Sequence, residues 1–127
     1  MHFPEELRYT KDHEWLRQED GTATVGITDH AQHELGDIVY VDVAVQVGQV
    51  VQAGQVVATL EAVKTVADVY TPVSGRVLEI NPLLAEKPEL INQDPYGEGW
   101  ILRVELTEPQ ELEHLLSAEA YRALVGA

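Results

Sequence analysis

Lys64 is the residue whose neighbours explain it least. Between Gln18 and Gly75 it is the only lysine or arginine, while Glu19, Asp20, Asp29, Glu34, Asp37, Asp42, Glu61 and Asp68 fall in the same span. It lies in Leu60-Glu-Ala-Val-Lys-Thr-Val-Ala-Asp-Val-Tyr-Thr-Pro72, which reads as a strand, a break and a second strand. The lysine occupies the break, where a turn-forming glycine or asparagine is expected. A primary amine at such a tip projects into solvent, because the strand residues take the inward places. From the residues alone the reading is a solvated turn lysine, and composition cannot overturn it.

Other chemistries are poorly supplied. The chain has no cysteine, so neither a disulfide nor a thiolate nucleophile is available, and any sulfur chemistry has to come from a cofactor. His30-Ala-Gln-His33 places two histidines three apart, and His13-Glu14 adds two further possible ligands. Nothing completes a tetrahedral set, so no metal is expected. No nucleophile, base and orienting group assemble, which disfavours an enzyme. Eight basic residues against 22 acidic ones give a net charge of −14, which repels phosphate backbones and anionic lipid surfaces, so neither nucleic acid nor membrane is expected as a partner. No apolar run approaches the roughly eighteen residues of a spanning helix, and the start, MHFPEELRYTKDHEW, lacks signal and transit character. The expected location is the cytoplasm.

The elements that must position Lys64 are mostly strands. Seventeen valines stand against a single phenylalanine, and β-branched side chains suit a pleated surface. The patterning predicts strands over Glu14 to Gln18, Thr22 to Ile27, Asp37 to Val45, Gln55 to Glu61, Val66 to Thr71, Gly75 to Ile80 and Trp100 to Leu106. Thr28-Asp29 predicts a short helix through His30 to Leu35, stopped by Gly36. Thr107-Glu-Pro-Gln110 matches a capping box, and Ser117 opens a last helix whose Tyr121, Leu124 and Val125 are expected to cover the sheet. Asn81 to Gly99, with three prolines, reads as a long excursion holding at most a helical turn or two. The 127 residues suit one domain, with a core over about 22–106 and terminal helices over about 108–125. Trp15 and Trp100 are expected as core anchors. Asp94-Pro-Tyr-Gly-Glu-Gly-Trp100 reads either as a tight turn into the last strand or as a docking loop.

Glu61-Ala-Val-Lys64, followed by Ala67-Asp-Val-Tyr-Thr-Pro-Val-Ser-Gly-Arg-Val77, resembles the modification hairpin of biotinyl and lipoyl carrier domains. Tyr9-Thr-Lys-Asp-His-Glu-Trp15, Val25-Gly-Ile-Thr-Asp-His-Ala-Gln32, Glu34-Leu-Gly-Asp-Ile-Val39, Pro88-Glu-Leu-Ile-Asn92, the 94–100 segment and Glu111 to Tyr121 are all similar to the H-proteins of glycine cleavage systems. That resemblance runs from about Leu7 to Leu124. Two stretches depart from the family pattern. Asp42-Val-Ala-Val-Gln-Val-Gly48 is one residue longer than the usual Glu-Leu-Pro-Glu-x-Gly and lacks its proline, and Ala62 stands where serine is usual. The second departure is closer to biotin carriers, so a biotinyl or 2-oxo acid dehydrogenase type carrier stays as the alternative.

The resemblance implies a mainly β barrel-sandwich hybrid of the lipoyl-domain kind, with short peripheral helices and a C-terminal helix. It implies a carrier, not an enzyme, with lipoate joined as an amide to Lys64 by a lipoate-attaching enzyme. An arm of roughly a dozen bonds reaches on the order of 10 to 15 Å. The partners implied are a pyridoxal phosphate glycine decarboxylase (P-protein) that loads an aminomethyl group, an aminomethyltransferase (T-protein) that passes its carbon to tetrahydrofolate, and a dihydrolipoamide dehydrogenase (L-protein) that takes the electrons. The resemblance also implies a sheltering cleft in which Glu14 and Asp68, with Asp12 nearby, face the loaded amine; His30, read as a structural residue and not a metal ligand, is expected to hold the short helix near that cleft. Beyond solvation, the acidic surface is suited to steering basic patches on partners.

Overall fold

A computed structural model describes residues 1–126. In chain order the strands are β1 (Arg8–Tyr9), β2 (Glu14–Glu19), β3 (Thr22–Ile27), β4 (Ile38–Val43), β5 (Val50–Val51), β6 (Val56–Ala62), β7 (Val66–Tyr70), β8 (Gly75–Ile80) and β9 (Leu102–Leu106). The α-helices are α1 (Asp29–Leu35), α2 (Leu90–Gln93) and α3 (Ala118–Val125), and 3-10 turns cover Pro82–Ala85 and Pro109–His114. One sheet has the order β1-β2-β3-β9-β8-β5 and the other β4-β6-β7, with every pairing antiparallel. Their facing sides share a core that includes Leu16, Val25, Val41, Leu60, Val69, Val77, Leu102 and Val104. This is the mainly β barrel-sandwich arrangement that the resemblance implies, built from the strands that the valine-rich patterning predicts, and each such aliphatic side chain contributes about 1.5–3 kcal/mol by leaving water. Among the described residues no helix is long and apolar enough to cross a membrane.

A second, aromatic cluster of Phe3, Leu7, Tyr9, Trp15, Ala118 and Tyr121 fastens α3 to the β1–β2 end, with the Tyr9 and Tyr121 rings stacked at 4.8 Å. Trp15 is fully buried there, and its indole N–H donates to the Pro95 carbonyl at 2.9 Å. Only glycine fits opposite it on β3, because a Cβ on Gly26 would come within 2.7 Å of the ring. Trp100 is half-buried against the same cluster. The 94–100 segment is a tight turn, in which the Asp94 carbonyl accepts from Gly97 and Gly99 and the Asp94 carboxylate from Glu98 N–H.

Several boundaries differ from those the sequence suggests. β1 and β5 were not expected, since two residues are too few to display alternation and each exists only by pairing with a longer neighbour. β4 stops at Val43, and the departing stretch folds into a turn in which Gln49 N–H donates to the Gln46 carbonyl and Gln46 N–H to the Gln49 side chain. The same turn is built again over Gln52 and Gln55. Thr28 and Ser117 cap α1 and α3 as expected, accepting from Ala31 and Ala120 N–H. The capping box at Thr107 does not form. The segment is a 3-10 turn with no side-chain cap at Glu108, and Glu111 reaches back across the fold to accept from Ser74 N–H (2.7 Å) and Ser74 Oγ (2.8 Å). Leu124 is exposed, not covering the sheet, because the inward face of α3 is taken by Ala118 and Tyr121.

Candidate functional site

The β6–β7 hairpin closes on itself at Ala62–Thr65, where Ala62 N–H donates to the Thr65 carbonyl at 2.8 Å and leaves Val63 and Lys64 at the centre of the turn. Val63 N–H donates to the Asp37 carbonyl at 3.1 Å, which ties the tip to the loop leaving α1. Lys64 is exposed, and no carboxylate among the described residues forms an ion pair with it. Its aliphatic stem passes over Gly36, which ends α1 at φ 78°, a conformation that favours glycine. A Cβ there would lie 3.4 Å from Lys64 Cε. The amine is therefore fixed at its base and free at its end.

Two cavities meet below the hairpin. The smaller, about 140 Å³, is walled by Ile27, Ala31, Leu35, Leu60, Ala67 and Val69, with Asp12, His13, Glu14, Glu34 and Asp68 as its polar members. The larger, about 380 Å³, lies towards Tyr9, Tyr70, Pro72, Leu115 and Leu116, with Lys11 and His114 also lining it, and shares Asp12 and Glu14 with the first. Size is not the deciding quantity. At a strand rise of about 3.3 Å per residue, Ala67 and Val69 stand about 10 to 16 Å along β7 from Lys64, and Pro72 lies well beyond that. The smaller cleft is thus the nearer of the two to Lys64 along the hairpin.

Glu14 forms the partition. It is 2 % exposed, accepts from Thr10 Oγ1 at 2.7 Å, and takes the Tyr70 N–H at 3.1 Å. That amide belongs to the edge strand of the smaller sheet, so the carboxylate satisfies a backbone donor that has no strand partner. Burial pushes the Glu14 carboxyl up to about 7, with the hydrogen bonds from Thr10 and Tyr70 opposing the shift. Asp12 is exposed at the mouth, its N–H donating to Thr10 Oγ1 at 3.2 Å. Asp68 lines the cleft, exposed, and its Oδ1 accepts from Thr59 Oγ1 across the sheet at 3.0 Å. His30 does not line the cleft; its ring lies 4.8 Å from that of His13, which does, and its Nε2 is 3.7 Å from Glu34 Oε1 on the same helix. Among the described residues no group of three or more His, Asp or Glu is placed to hold a metal ion.

The sequence gives no hint of what braces this cleft. His13 has a left-handed φ of 69°, its Nδ1 lies 2.7 Å from the Tyr121 hydroxyl, and that hydroxyl is 2.8 Å from Thr28 Oγ1. Burial, then the neighbouring His30, pulls the His13 imidazole below its ordinary range, whereas burial pushes the Tyr121 phenol up to about 12. The phenol therefore stays protonated, and the C-terminal helix holds both a cleft residue and the cap of the helix that forms the opposite wall. Tyr121→Phe is expected to lower unfolding free energy by about 1–3 kcal/mol, measured by urea denaturation, since the buried Thr28 hydroxyl and the half-buried His13 ring both lose a partner.

Comparison with known proteins gives a consistent result. A family model described as "Glycine cleavage H-protein" matches residues 7–127. The chain is similar to the glycine cleavage system H protein of Pelodictyon phaeoclathratiforme (55 % identity, 99 % of each chain covered) and to that of Bacteroides fragilis (50 %, all of both chains). It also resembles the crystal structure of a glycine cleavage system H protein from Mycobacterium marinum, at 37 % identity and a TM-score of 0.88, covering 98 % of this chain and all of that one.

Proposed function

The chain belongs to the glycine cleavage H-protein family, and from that premise we propose that it is a cytoplasmic, non-catalytic carrier of one domain that bears lipoate on Lys64. It takes an aminomethyl group from the glycine decarboxylase, presents it to the aminomethyltransferase, and delivers electrons to dihydrolipoamide dehydrogenase, after a lipoate-attaching enzyme has modified it. The observation that carries this reading is an exposed primary amine, without an ion pair among the described residues, at a closed hairpin tip about 10 to 16 Å from an apolar cleft with a buried carboxyl. The residues present fit a lipoyl arm. Leu35, Leu60, Val69, Ile27 and Ala31 suit an aliphatic chain, and the free end of Lys64 suits amide formation.

When attached, lipoate supplies a five-membered disulfide ring that cannot reach the relaxed dihedral near 90° and so opens readily. The rest is the protein's work. The α1 wall and the edge of β7 exclude water from whatever the cleft holds. Glu14, once ionised, accepts a hydrogen bond from an ammonium brought into the cleft, and burial strengthens that contact relative to one in water. Asp12 and Asp68 add negative charge near the mouth, and His30 steadies His13 and α1 from behind. Intact mass of protein made in a lipoate-competent host tests the reading, with a lipoyl adduct expected and lost in Lys64→Arg. A biotinyl adduct, or a bare chain under those conditions, overturns it.

A further inference from the structure

A collar of exposed apolar side chains surrounds Lys64. Val63 is 75 % exposed, Val66 61 %, Val39 55 % and Tyr40 52 %. The last two are consecutive, and both point outward because the pairing of β4 with β6 shifts register between Ile38 and Tyr40. Across the small sheet Tyr40 stands opposite Glu61, and Glu61 opposite Val66; one row further along, Asp42 faces Thr59 and Thr59 faces Asp68. Glu61, Asp42, Asp68 and Asp37 are exposed around the collar. The two hairpin strands, the tip and β4 carry one basic residue between them, Lys64 itself.

An arm only about 10 to 15 Å long obliges any enzyme that accepts it to approach this face closely. A bare Lys64 presents a cation amid the carboxylates; an acylated one presents none. We propose that the outer face of the β4-β6-β7 sheet, centred on Val39, Tyr40, Val63 and Val66, docks on the enzyme that loads the arm, at an entrance floored with apolar side chains and rimmed with lysine or arginine, and that acylation of Lys64 strengthens this docking by removing the face's one positive charge. The loading enzyme is the occupant of choice because the arm on Lys64 has to enter its active site, which brings the apolar collar and the exposed Asp37, Asp42, Glu61 and Asp68 against its entrance. This inference rests on the carrier reading above.

The test uses the glycine decarboxylase, with the acylated wild-type chain as substrate and unacylable variants as competitive inhibitors. Lys64→Gln is neutral and Lys64→Arg cationic, so the inhibition constant of Lys64→Gln is expected to be about threefold lower at low ionic strength, with the difference vanishing near about 0.5 M salt. Adding Val39→Ser and Tyr40→Ser to Lys64→Gln is expected to weaken inhibition about tenfold or more. In the acylated chain the same pair raises KM while kcat and the yield of acylation are kept. Equal constants for the Gln and Arg variants, inhibition untouched by the Val39 and Tyr40 changes, or sedimentation showing that the collar pairs two copies of this chain would each overturn the inference while leaving the carrier reading standing. No turnover of the acylated wild-type chain sinks both.

Discussion

Lys64→Arg is expected to reduce glycine carboxyl exchange with bicarbonate, assayed with the glycine decarboxylase, to the rate seen without any carrier, a loss of about three orders of magnitude or more. Arginine keeps the charge and nearly the length of lysine. Its guanidinium stays protonated to beyond about pH 12, so it has no free electron pair with which to attack an activated acyl group. The structural consequences should be small. Lys64 is exposed, forms no ion pair among the described residues and lies over Gly36 with only its far end, so the urea midpoint of the variant is expected to move by no more than the equivalent of about 0.5 kcal/mol. An inactive variant with unchanged stability separates lost chemistry from lost fold. Exchange that survives the substitution at anything near the wild-type rate removes Lys64 from the proposal.

Glu14→Gln is expected to act on both protection and stability, each with its own pH signature. In the acylated, loaded carrier, loss of the aminomethyl group to water should be about tenfold faster, because a charge-assisted hydrogen bond becomes a neutral one. The wild-type loss rate should fall as pH rises through about 7, where Glu14 ionises, and the variant's should not. An unchanged loss rate across that range rejects Glu14 as the group that holds the amine. Stability should run the other way. The folded pKa is raised to about 7 from an ordinary value of 4.5, so between those values the folded state binds more protons than the unfolded one. The contribution is therefore full below about pH 4.5 and is lost as pH rises towards 7, by up to about 3 kcal/mol. Unfolding free energies followed from pH 5 to 8 should show this decline in wild type and lack it in Glu14→Gln.

These effects trace to different depths of the sequence. The hairpin was legible because two runs of β-branched residues flank a break, and their alternation fixes which side chains face outward whatever lies elsewhere in the chain. Thr28, Gly36 and Ser117 were legible for the same reason, since each acts on backbone groups within four residues of itself. The capping box at Thr107 was misleading because Gln110 donates to the Glu108 carboxylate instead of turning back to Thr107, and Glu111 beside it is held by Ser74, 37 residues away; a local preference of about 1 kcal/mol yields to such contacts. The short strands β1 and β5 were invisible because their order comes from their neighbours.

By itself, then, the sequence determined a valine-rich β-domain, an amine at the apex of a ribbon within an acidic stretch, and the family that shares those residues. Only the tertiary structure decided that Glu14 is buried against the unpaired amide of Tyr70, that Tyr121 joins His13 to Thr28 across 108 and 93 residues of chain, and that a shifted register turns Val39 and Tyr40 outward beside Lys64. The reason is one of range. Alternation and capping are settled by backbone geometry over a few residues, whereas desolvation of a carboxyl and the exposure of a collar depend on which distant surfaces come to lie against them.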